Sequence, residues 1–181
     1  IAALAFDLGT YASSSKLAKG KWVKISVPES GMYQITNSQL SKWGFSDPSK
    51  VRVYGYGGKR IPSSLSKENY IDDLPMVQTV QTSSGIAFYG VGTEEWSQTG
   101  NAVWVNLPNI YTTVGYYFLS DTGEEARPIE EQGTAGAQGT PATTFVDRLH
   151  YELDRVSPGE AGYLLVGESF KSQSTRKVTF D

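Results

Sequence analysis

The sequence predicts an all-β protein: an antiparallel sandwich or distorted barrel of about ten strands with one short helix. Short runs of alternating apolar and polar residues recur along the chain, the signature of half-buried strands. Turn-forming clusters interrupt them, and glycine (19) and tyrosine (11) are abundant among the 181 residues, as many short strands joined by tight turns require. Hydrophobic residues make up 39% and aromatics 12%, enough to build a core at this length. No repeat of fixed period occurs, which weighs against propellers and solenoids.

Residues 1–20 are read as an N-terminal arm or first strand, IAALAFDLG, followed by a serine-rich loop. Residues 21–181 are read as one β-rich, non-catalytic domain. Its most informative stretch is 21–58. Trp22, Lys24 and Ser26 alternate with Val23, Ile25 and Val27 up to Pro28, a strand with one buried face. Glu29-Ser30-Gly31 turns, and residues 32–35 return in extended form, as a hairpin or two neighbouring antiparallel strands. Thr36 stands three residues before Gln39, the spacing of a capping box. The helix it opens carries Leu40 and Trp43 and ends at Gly44. Asp47-Pro48 then turns the chain into Val51, Val53 and the run YGYGG. Trp22, Trp43 and Phe45 are candidate core anchors, with the helix laid across a sheet edge or barrel mouth.

Further strands are expected at 76–82, with Val77 and Thr79 on one side and Gln78 and Val80 on the other, at 86–89, at 102–107 and at 114–119. In the last of these, Gly115 signals a bulge or a close approach. Residues 92–101 read as a polar loop in which Trp96 faces outward or covers one end of the core, whereas Trp104 lies within an alternating run that turns it inward. Residues 124–142, acidic and then rich in Gly, Ala and Thr, are expected to be a flexible excursion, since they bury little to offset about 1–2 kcal/mol of backbone ordering per residue. Residues 145–154 fit both helical and strand spacing. A strand is preferred because Pro158-Gly159 and another strand at 162–167 follow, with a last one at 177–180.

Formal charge is −3 with 19% charged residues and no clustering of Lys or Arg, so the footprint for nucleic acid is missing. Cysteine is absent, which removes disulfides, thiolate metal sites and a cysteine nucleophile from this chain. No apolar run reaches the length of a membrane span, IAALAFDLG being short and broken by Asp7. The strand-like run at the C-terminus reads as the edge of a fragment from a longer protein.

His150 is the only histidine and sits in an alternating context that places it on a solvated face. No serine occupies a nucleophile-elbow context, so a Ser-His-Asp triad has no support. The carboxylate pairs 72–73, 94–95, 124–125 and 130–131 are adjacent in sequence, and in extended chain adjacent side chains diverge. No cofactor is expected. Glu68, Asn69, Asp72 and Asp73 are hard oxygen donors in a turn-rich stretch and could surround Ca²⁺; alternatively, Asp72 or Asp73 caps backbone amides before Leu74-Pro75. The glycines of YGYGGKR lack the following helix that a phosphate loop needs. Trp96, Tyr56 and Tyr111 are candidate contacts for a ligand or partner, and Tyr70 joins them as a possible sugar platform.

An ordered series of blocks resembles a known family: GKWVKISVPESGMYQITNSQLSKWGF, DPSKVRVYGYGG, DDLP at 72–75, IAFYGVG at 86–92, YYFL at 116–119, YELD, and GESF at 167–170. Together they are similar to the N-terminal region of gingipain-type (family C25) cysteine peptidases, closest to the sortase of the type IX secretion system. The resemblance covers most of the chain from residue 21 onward. It implies a non-catalytic accessory or propeptide-like domain of a secreted peptidase at the outer-membrane or extracellular surface. The implied partner is a downstream peptidase domain of the same polypeptide, alongside other surface proteins. The catalytic Cys and His of that domain have no counterpart here, and His150 does not match the histidine's context. An independent carbohydrate- or protein-binding β-sandwich module is the alternative.

Overall fold

The computed structural model describes residues 11–66, 69–100, 103–121, 123–130, 143–153, 156–160, 165–167, 175 and 177–180. The chain divides into two compact units, Ile1–Gly133 and Thr134–Asp181. In the first, eight strands lie among the described residues: β1 (Val23–Val27), β2 (Gly31–Thr36), β3 (Arg52–Gly57), β4 (Thr79–Thr82), β5 (Gly85–Gly90), β6 (Glu94–Thr99), β7 (Val103–Pro108) and β8 (Gly115–Ser120). One α-helix, α1 (Asn37–Lys42), accompanies them. They form three antiparallel sheets, in the orders β1-β8-β3, β2-β5-β4 and β6-β7. The all-β class is as predicted, and no closed barrel forms among the described residues. The expected strand at 1–9 lies outside the described residues.

One core unites the two three-stranded sheets. Val27, Val53, Tyr117 and Leu119 face inward from the first, and Ile35, Ile86 and Phe88 from the second. The Phe88 and Tyr117 rings meet edge to face at 5.3 Å, a favoured aromatic arrangement. Burial disfavours the charged form of the Tyr117 phenol and raises its pKa, although the Val91 N–H donates to its oxygen at 3.0 Å. The alternation predicted for β1 holds, with Lys24 and Ser26 exposed and Val27 buried.

The turn after Pro28 nevertheless does not join β1 and β2 as a pair. It carries the chain from one sheet to the other, β1 pairing with β8 and β2 with β5. Hairpin signals mark a reversal of direction; they do not identify the partner, and here the inward faces of β1 and β2 belong to opposite layers.

The helix forms as its cap predicts. The Thr36 hydroxyl accepts from Gln39 N–H at 3.2 Å, while the Gln39 side chain accepts from Thr36 N–H at 2.9 Å. Leu40, Phe45 and Val51 close one end of the core. Of the three aromatic anchors, Phe45 is buried, Trp43 is half-buried against the core, and Trp22 lies outside it. Trp22 packs instead at 5.2 Å on the buried Tyr54.

Tyr54 is covered on the outer face of its sheet by residues 11–22. Lys16 Nζ sits 5.2 Å from its ring and pairs with Glu124 at 3.3 Å. Asp72 accepts from Ala12 N–H at 2.9 Å, and Asp73 from Lys16 N–H at 2.5 Å and from the Ser15 hydroxyl at 3.2 Å. This strap contains no fully buried residue, so carboxylate hydrogen bonds hold it more than apolar area does.

The close approach expected at Gly115 is present. A Cβ there would lie 2.4 Å from Gly58 N and 2.8 Å from Val91 O. Across from it, β3 shifts register between Tyr54 and Gly57, where Gly57 takes φ +65° and a Cβ would meet the Tyr117 hydroxyl at 2.5 Å. The glycines of YGYGG serve this crossing of backbones. Residues 127–128 run beside β4, with Thr79 N–H donating to Arg127 O at 3.0 Å. Residues 131–142 of the predicted excursion lie outside the described residues.

In the second unit, residues 145–153 are neither helix nor strand, and Phe145 and Val146 are exposed. Alternation supplied a pattern there, but no neighbouring strand is hydrogen-bonded to it among the described residues. Among the described residues an antiparallel bridge joins Val156 and Val166 around the Pro158–Glu160 turn. Residues 177–180, expected as a strand, have no regular structure.

Candidate functional site

The structure changes the setting of Trp96. It is not in a loop but in β6, directly opposite Asn106 of β7. Asn109 N–H donates to Thr93 O at 2.7 Å at the base of the hairpin, so the pairs 95/107, 97/105 and 99/103 exchange ladder hydrogen bonds and the intervening pairs do not. Pro108, opposite Glu94, therefore stands where no N–H is required. Trp96, Glu94 and Asn106 share one face, and Asn106 Nδ2 donates to Glu94 Oε2 at 3.3 Å.

Trp96 lines two adjoining depressions beside this hairpin. One, of about 600 Å³, lies between it, the β1–β2 turn and the loop before β8; its walls include Glu29, Glu94, Thr93 and Asn109. The other, of about 480 Å³, is bordered by Lys59, Arg60, Tyr89 and Glu95. Both fall in the size range of ligand pockets. Hydrogen bonds fix their walls. Tyr33 OH donates to Glu29 O at 2.8 Å, Gly92 N–H to Ser30 Oγ at 2.9 Å, and Asn109 Nδ2 to Gly58 O at 3.0 Å.

The remaining sequence candidates fall elsewhere. Tyr56 donates its hydroxyl to Asp73 O at 3.1 Å, which ties β3 to the 70–75 turn. Tyr111 is 73% exposed, its N–H held by Asn109 Oδ1 at 2.9 Å. Neither lines the two depressions. Tyr70 packs edge to face with Tyr11 at 5.4 Å.

Asn69 accepts from Ser66 N–H at 2.6 Å, while Asp72 and Asp73 hold the strap, Asp73 also accepting from Leu74 N–H at 2.8 Å. The amide-capping role is thus present; Glu68 lies outside the described residues. No group of three His, Asp or Glu placed to hold a metal occurs among the described residues. Burial pushes the Asp73 pKa up, but the Leu74 and Lys16 amides, the Ser15 hydroxyl and the Lys16 charge outweigh it and hold the carboxyl below its usual range. His150 Nε2 lies 3.3 Å from Glu152 Oε2 near the surface.

Sequence reading missed Glu29, Thr93 and Asn109 as parts of one site. Each stands in a turn whose local pattern accounts for it, and only the meeting of three connections gathers them around Trp96.

Comparison with solved structures finds a likeness to dimeric latent PorU from Porphyromonas gingivalis. Its TM-score is 0.72 and its sequence identity 40%, across 88% of this chain and 15% of that one. The likeness is one of sequence as well as fold, and this chain spans only 15% of the PorU chain's length. No protein-family model matches the chain, and no curated protein matches it. No helix among the described residues is long and apolar enough to cross a membrane.

Proposed function

We propose that this chain is a non-catalytic accessory or propeptide-like domain of a secreted, surface-associated gingipain-type (family C25) cysteine peptidase related to the type IX secretion sortase. The observation that carries the reading is its 40% identity over 88% of its length to a small part of PorU. The chemistry agrees: with no cysteine in the sequence, the nucleophile of such a peptidase comes from another part of the polypeptide. The partner is that peptidase domain, and the setting is the extracellular or outer-membrane surface, where other surface proteins are further partners.

The test is to add the isolated chain to the remainder of its parent polypeptide and measure association and peptidase activity. Binding, with a change in activity or in recovery of the folded peptidase, is expected. Absence of both would overturn the reading. So would turnover of unstructured protein by the isolated chain that survives purification and disappears in His150→Ala. The depressions beside Trp96 favour a second reading, an independent module for glycan or protein, which predicts ligand binding by the isolated chain and indifference to the peptidase.

A further inference from the structure

We infer that the larger depression beside Trp96 is a binding site for a cationic side chain, an arginine presented by a polypeptide. Its walls join Trp96 to Glu29 and Glu94 and include no Lys, Arg or His. Lys59 and Arg60 line the adjoining depression, which shares Glu94 and Trp96 with the larger one. Among the described residues neither carboxylate has an ion-pair partner within 4.0 Å. The Glu94 carboxylate is positioned by Asn106, and the Tyr33 hydroxyl holds the backbone that carries Glu29.

A guanidinium satisfies this combination. Its flat face stacks on an indole, its edge donates in a fork to carboxylate, and its charge offsets the two it meets. A neutral saccharide could use the indole, but it would desolvate both carboxylates without a counter-charge. The site does not depend on the peptidase reading, since its chemistry lies within this chain.

The experiment is a titration of the intact chain with the blocked peptide acetyl-Gly-Arg-Gly-amide, following the Trp96 indole N–H resonance, assigned through Trp96→Phe. The isosteric citrulline peptide and a neutral hexasaccharide serve as parallel arms. The arginine peptide is expected to move the Trp96 resonance saturably, more weakly at high salt. A Glu29→Gln, Glu94→Gln double variant is expected to lose about tenfold or more in affinity. Glutamine keeps an acceptor for Asn106, and an unchanged amide spectrum confirms the fold. Equal shifts with citrulline or with the saccharide would overturn the assignment, as would no shift with arginine or full binding by the double variant.

Discussion

The sheet β1-β8-β3 and the hairpin β6-β7 are built from similar sequence and end differently. β8 places Tyr117 and Leu119 in the core, and β3 buries Val53 and Tyr54. β7 carries an equally apolar run, yet Val103, Trp104 and Val105 are 55%, 38% and 36% exposed. The difference is the second layer. β8 lies across the core from β5, whereas no third strand or facing sheet joins β6 and β7 among the described residues. Alternation creates an apolar face, and burial needs another face to receive it.

The largest test of that contrast is Phe88→Ala in the core, expected to cost about 3–5 kcal/mol in a urea titration. A loss below about 1 kcal/mol would mean that the two sheets are not packed as described. Next is Gly115→Ala, whose new Cβ must displace the backbone of Gly58 and Val91. About 1–3 kcal/mol is expected from such overpacking, and an unchanged midpoint would refute the close crossing. Thr36→Ala removes one half of the capping box and should cost about 1 kcal/mol, a measure of how much local structure adds beside the core.

The strap offers a pH test. Because folding lowers the Asp73 pKa, its stabilisation is complete above the unfolded carboxylate value of about 3.9. It is lost as pH falls through the lower folded value. Amide exchange at Lys16 and Leu74, whose N–H groups Asp73 accepts, corrected for intrinsic rates, should therefore accelerate below about pH 4 and at neutral pH in Asp73→Asn. Equal protection in wild type and variant would remove the carboxylate from its holding role. The smallest effect belongs to the hairpin: Val103→Ala, at a position 55% exposed, should change stability by about 0.5 kcal/mol or less, and a core-sized loss would place the hairpin within a packed layer after all.

The amino-acid sequence by itself determined the elements whose causes are local. The alternation of Val23, Ile25 and Val27 makes β1, the Thr36–Gln39 box starts α1, and Gly115 marks a point of backbone contact. The first two depend on residues within a few positions of one another, and Gly115 signals its contact by a missing side chain although Gly58 and Val91, which it meets, are distant in sequence. What only the tertiary structure decided is which strand meets which, and hence the fate of each aromatic. β1 and β2 separate into different sheets, Trp104 stays 38% exposed although its pattern turns it inward, and Trp96 leaves its expected loop for a strand that borders a cleft. Glu29 and Glu94 come to share that cleft through connections far apart in sequence. A periodic pattern specifies the side of a strand on which apolar groups stand, while the layer that covers them, and the loops that converge at its edge, depend on long-range pairing that no short stretch encodes.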